Sequence, residues 1–230
     1  TLRGLRVLLT DDNAINRQVI KLFLANQACE IFEATNGKEA LDKLAQDDFD
    51  IVLLDVHMPV MDGKETIRRI RATGVVIRAQ GPLVAHINDD PTVWARLWKT
   101  EVRLGLVPYH VFVERDTGAR HYFEVPLARA WQIYQQAIQQ VSGLARTARG
   151  PSMSASPGKV EIQGVTEIAG EKVFVLRFIQ GRNPDWVQRP FFARYDDKAT
   201  WLDQLVPAFG QAKWFWQDEY EAIREEKLAT

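Results

Sequence analysis

From residue 6 to about residue 73 the chain alternates short apolar runs with amphipathic stretches, the pattern of a parallel sheet covered by helices. RVLLT at 6–10 predicts a first strand, after which Asn13 caps a helix with Ile15, Val19, Leu22 and Phe23 on one face. EIFEAT at 30–35 predicts a second strand, and Asn36 and Gly37 turn the chain into a helix carrying Ala40, Leu41 and Leu44. IVLLD at 51–55 predicts a third strand, apolar at four consecutive positions as a central parallel strand buried on both faces should be. KETIRRIRA at 64–72 predicts a helix. Further on, GPLVAHIN (81–88) and VPYHVFV (107–113) predict strands, and Asp90 with Pro91 opens a helix closed by Gly105. Leu127, Trp131, Tyr134, Ile138 and Val141 stand at helical spacing, and GPSMSASPG (150–158) predicts a Gly/Ser/Pro loop. KVEIQGVTEI and KVFVLRFI flank Ala169, Gly170 and Glu171 as a hairpin, and residues 212–227 predict a charged helix with an aromatic start.

Composition adds a seam. All seven tryptophans lie beyond Thr73, so the chain has two textures. Lys and Arg total 29 against 30 Asp and Glu, and a net charge of −1 gives no general attraction to nucleic acid or to an anionic membrane. The longest apolar runs fall far short of a membrane span, so the cytoplasm is the expected location. Cys29 is the single cysteine, which excludes an internal disulfide and any cluster needing several thiolates from this chain.

The chemistry concentrates at strand ends. Asp11 and Asp12 follow the first strand and Asp55 ends the third, and the carboxyl ends of strands in a doubly wound sheet form the ligand crevice. Taken singly, Asp12 and Asn13 read as a helix cap and Asp55 as a strand end. Together the three carboxylates predict a site for a hard divalent cation such as Mg²⁺, which takes a few carboxylates and leaves positions for phosphate oxygens. Asp55 is then placed to receive a phosphoryl group.

LLTDDNAINR (8–17) and DIVLLDVHMPVMDG (50–63) resemble the receiver domain of two-component response regulators. The resemblance implies that Asp55 is the phosphoacceptor, that Asp11 and Asp12 hold Mg²⁺, and that the backbone carbonyl of His57 is a further ligand. Pro59 and Gly63 would shape the following loop, and the partner would be a histidine kinase or a phosphotransfer protein. Receivers also carry a hydroxyl residue at the end of the fourth strand and a lysine at the end of the fifth. Ile87 stands near the first position and YHVFV offers no lysine, which implies weak phosphoryl chemistry and a poorly coupled switch.

From about Val75 a second resemblance begins. AQGPLVAHINDDPTVWARLWKTEVRLGLVPYHVF and SGLARTARGPSMSASPGK are similar to the later barrel strands of lysine 2,3-aminomutase-like radical SAM proteins. It implies that Lys159 occupies the position of the pyridoxal-phosphate lysine, whereas the residues alone favour a solvated strand start. Without the cluster cysteines the chain is not a radical SAM enzyme on its own. Ser152 stands near a position where those aminomutases carry a carboxylate.

The expected architecture is α/β: a flavodoxin-like parallel sheet with helices on both faces, completed as a hybrid by barrel-derived βα units, plus a C-terminal appendage with a β-hairpin and helix. The expected divisions are 1–74, 75–145 and 146–230. The expected function is a phosphorelay signalling module. The alternatives are a pyridoxal-phosphate-binding remnant centred on Lys159, or a chimeric fusion without selected activity.

Overall fold

The computed structural model describes residues 3–55, 58, 63–114 and 120–228. The chain divides into two compact units, Thr1–Ile77 and Arg78–Thr230. The first contains β1 (Arg6–Thr10), α1 (Ala14–Leu24), β2 (Glu30–Ala34), α2 (Gly37–Gln46), β3 (Ile51–Leu54) and α3 (Gly63–Ala72). Its strands are parallel in the order β2-β1-β3. That is the beginning of the flavodoxin-like order, and right-handed crossovers place α1 and α2 on opposite faces.

Local chemistry accounts for these elements. The Asn13 side chain accepts from the Ile15 N–H at 2.9 Å and caps α1, and the Asn36 side chain accepts from the Glu39 N–H at 2.9 Å to cap α2. Glu39 returns the contact by accepting from the Thr35 N–H at 2.8 Å, which also lowers its pKa. Gly37 is required by packing: a Cβ there would stand 1.9 Å from Thr66 Oγ1 on α3. Leu8, Ala34 and Ala40 form the small buried centre. On the apolar face of α1, Ile15, Leu22 and Phe23 are 73%, 66% and 72% exposed.

The second unit holds β4 (Arg78–Leu83), α4 (Pro91–Arg103), β5 (Val107–Val113), α5 (Arg120–Phe123), α6 (Leu127–Gln139), β6 (Arg149–Ala155), β7 (Gly158–Ile168), β8 (Glu171–Gly181), β9 (Pro190–Arg194) and α7 (Gln217–Leu228). One sheet runs β4-β5-β6-β7-β8-β9, parallel across its first three strands and antiparallel across the rest. Its core draws Trp94 and Trp98 from α4, Leu127 and Ile133 from α6, and Met153, Ile162, Phe174 and Phe178 from the sheet.

Several expectations are corrected. β4 and β5 do not complete the first sheet; they pair with each other and lead into the second. The sequence of β4, RAQGPL, explains this, because Arg78, Gln80 and Pro82 alternate as exposed positions and Pro82 donates no ladder hydrogen bond, which suits a sheet edge and not a strand beside IVLL. β4 also ends earlier than GPLVAHIN suggests. Asn88 accepts from the Val84 N–H at 2.7 Å and donates to the Pro82 carbonyl at 2.9 Å, folding the chain back, and His86 takes a left-handed φ of 66°.

The stretch GPSMSASPG is mostly strand. β6 lies between β5 and β7, so an expected break between 145 and 146 does not separate two sheets. Close backbone approach explains the glycine there: at Gly150, with φ 119°, a Cβ would stand 2.2 Å from the Val111 carbonyl oxygen. The hairpin forms as expected from β7 and β8, with Ala169 and Gly170 both at positive φ in the turn. α7 begins later than expected because the aromatic residues Trp214 to Trp216 pack into the core before the helix starts.

Candidate functional site

The carboxylates of Asp11, Asp12 and Asp55 come together at the carboxyl end of the first sheet, each offering an oxygen within 4.8 Å of the others. Backbone pairing fixes two of them. The Asp55 N–H donates to the Thr10 carbonyl at 2.9 Å, and the Asp11 N–H donates to the Ala34 carbonyl at 3.2 Å. Asp11 is buried, and its Oδ1 accepts from the Asn13 N–H at 2.8 Å and from Asn16 Nδ2 at 3.4 Å. Asp12 is exposed and Asp55 half-buried.

The cationic side chains of α1 are directed elsewhere. Arg17 donates through Nη1 to the Asp11 backbone carbonyl at 2.8 Å, while its Nε and the Lys21 ammonium both engage Glu33. The Lys21 hydrogen bond first, and that of Arg17 second, hold Glu33 below the usual carboxylate range. Thr10 adds a feature that sequence reasoning missed: its hydroxyl, one residue before Asp11, is buried and has no partner among the described residues. A small all-carboxylate donor set of this spacing fits Mg²⁺, which prefers oxygen and retains water on its free positions. His57 and Pro59 lie outside the described residues. Gly63 is buried at the start of α3.

Lys159 belongs to the second unit, where it is the second residue of β7, paired with Ser154 on one side and Gln180 on the other. Burial pulls its pKa down. The pyridoxal-phosphate expectation finds no support here. The sheet carrying Lys159 is open, with three parallel strands in place of a closed barrel, and a barrel interior is what walls such a cofactor.

Beside Lys159 the second unit carries a polar cluster that the sequence did not disclose. Ser152 is fully buried, with its Oγ 3.0 Å from His110 Nε2. Burial first, and the Lys159 charge second, lower the pKa of His110. Glu161 accepts from the Gly150 N–H at 3.1 Å and from Arg177 Nε at 2.8 Å. Ile87, near the expected fourth-strand hydroxyl position, is 66% exposed in the turn after β4.

The fold and site of the first unit define a flavodoxin-like α/β module with an acidic cluster at its strand ends. Residues 7–85 match the family model of the response regulator receiver domain. Two-component response regulator ORR41 of Oryza sativa subsp. japonica is 43% identical over 89 residues, which cover 37% of this chain and 67% of that protein. The chain belongs to the response regulator receiver domain family. Chemotaxis response regulator CheY4 of Vibrio cholerae aligns structurally at 25% identity and a TM-score of 0.37, covering 45% of this chain and 82% of that one.

The second resemblance is also found. A provisionally named L-lysine 2,3-aminomutase of Aquifex aeolicus is 26% identical over 152 residues, 66% of this chain. A match of that length exceeds the 77 residues of the first unit and so extends into the second. The chain spans only 39% of that relative's own length.

Proposed function

We propose that the first unit is the phosphoacceptor module of a phosphorelay. In this reading Asp55 receives a phosphoryl group from the phosphohistidine of a histidine kinase or phosphotransfer protein, and Asp11, Asp12, Asp55 and the backbone carbonyl of His57 hold Mg²⁺. The bond from phosphorus to the donor imidazole breaks as a carboxylate oxygen of Asp55 bonds to phosphorus. The imidazole leaves with its electron pair and takes up a proton. Mg²⁺ supplies neutralisation of charge on the transferring group.

The residues of the chain do the positioning. The Thr10 carbonyl, by accepting from the Asp55 N–H, sets the nucleophile beside Asp11, and Asn13 and Asn16 orient the Asp11 carboxylate. The observation that carries the reading is the approach of all three carboxylates within 4.8 Å. Response to phosphorylation is the weak part. YHVFV contributes no lysine and Ile87 no hydroxyl, so few contacts distinguish a phosphorylated from an unphosphorylated first unit.

Calorimetric titration of Mg²⁺ into wild type and Asp55→Asn tests the metal assignment. Removing one anionic ligand from a small hard-cation site should weaken binding by on the order of tenfold. Equal affinity in the two proteins contradicts the assignment.

A further inference from the structure

A cavity of about 420 Å³ opens within the second unit, between the turn joining β6 to β7, the 3-10 turn at 202–204 and the face of α7 that carries Tyr220 and Arg224. That volume lies in the range of roughly 300–1,000 Å³ typical of small-molecule sites. Trp201, Trp214, Trp216 and Tyr220 supply aromatic wall, and Asp203 and Arg224 supply one charge of each sign. The Trp214 and Trp216 rings lie 8° from parallel with centroids 6.0 Å apart, and Tyr220 meets Trp216 edge to face.

Two properties narrow the occupant. The aromatic faces favour a flat ring, which stacks on them without needing hydrogen bonds. The charges are balanced and unspent: Asp203 and Arg224 are both exposed, and neither joins an ion pair found among the described residues. The Arg224 guanidinium stands 5.9 Å from the Tyr220 ring centre, which leaves its planar fork available to a carboxylate.

A simple aromatic cation would meet Arg224 unfavourably, and a simple aromatic anion would meet Asp203 unfavourably. A zwitterion uses both. We propose that this cavity binds a free aromatic amino acid, with its ring against the tryptophan wall, its carboxylate at Arg224 and its ammonium at Asp203. The site is independent of the acidic cluster in the first unit.

The test uses the full chain and L-phenylalanine, with 3-phenylpropanoate, phenethylamine and L-alanine as probes lacking the ammonium, the carboxylate and the ring. Calorimetry should give saturable binding of phenylalanine, with each analogue weaker by about tenfold or more, the loss expected for one charge-assisted contact or for the stacked ring. Arg224→Gln should abolish the preference for phenylalanine over phenethylamine, and Asp203→Asn the preference over 3-phenylpropanoate. Both substitutions are at exposed positions, and unchanged circular dichroism confirms that each variant is folded. Absence of saturable phenylalanine binding overturns the proposal. So does equal binding of either singly charged analogue, or survival of the preferences in the variants.

Discussion

At Glu101, burial outweighs the ordinary tendency of a carboxyl to ionise. Desolvation on α4 pushes its pKa up to about 7, and Oε2 is buried with no hydrogen-bond partner among the described residues. In the unfolded chain the group titrates near 4.5, so between that value and about 7 the folded protein holds a proton that the unfolded chain has lost. Stability contributed by this group therefore falls as pH rises through that window, and the full penalty stands above it. Glu101→Gln removes the titration. Its melting temperature relative to wild type should rise between pH 5 and pH 8, as measured by calorimetry in matched buffers; a difference that stays constant across the window contradicts the assignment. Glu101 could not be picked out in the sequence, because a helical glutamate reads as a solvated face until its neighbours are known. The Glu161–Arg177 and Ser152–His110 contacts were hidden for a similar reason: each depends on strand register. Asp11, Asp12 and Asp55 were legible because strand ends on one sheet edge converge whatever the register.

Among the elements, those with strong local signals matched their sequence patterns. RVLLT became β1, VPYHVFV became β5, and the Asn13, Asn36 and Asp90 side chains each cap the helix expected of them. The errors came where local composition and tertiary pairing disagree. GPSMSASPG has the residues of a loop, yet small side chains and Gly150 are what the close approach of β6 to β5 requires. Periodicity placed Ile15, Val19, Leu22 and Phe23 on one face of α1 correctly, but it cannot reveal whether that face is covered, and it is largely exposed. The α2–α3 contact offers a test of packing in the first unit. Gly37→Ala gains helix propensity, but its Cβ collides with Thr66 Oγ1, and overpacking of this kind costs about 1–3 kcal/mol. Urea unfolding followed in the first unit should show a lowered midpoint; an unchanged or raised midpoint would show that Thr66 moves aside freely.

On the scale of the whole chain, the texture of the sequence changes near Thr73 and the chain divides into two compact units after Ile77. What the sequence did not reveal is that β4 and β5 pair in the second sheet and not beside β3. β4 to β6 retain the parallel pairing and crossover helices that suit their alternating and partly polar strands, and the apolar run of β3 gains no fourth strand from them. A shared βα unit is therefore insufficient to join two sheets when the candidate strand is built for an edge. On the proposed reading, Ile87 and YHVFV offer neither the hydroxyl nor the lysine that receivers carry, so the switch is expected to be poorly coupled. Exposure of the chain to acetyl phosphate and Mg²⁺, followed by intact mass, peptide mapping and hydrogen exchange, measures modification and coupling at once. The account predicts slow, partial, Mg²⁺-dependent modification of Asp55 that is lost in Asp55→Asn, with exchange changes confined to the acidic cluster and the segment just after it. Failure to modify Asp55, or rapid stoichiometric modification with broad protection across residues 83–113, would contradict it.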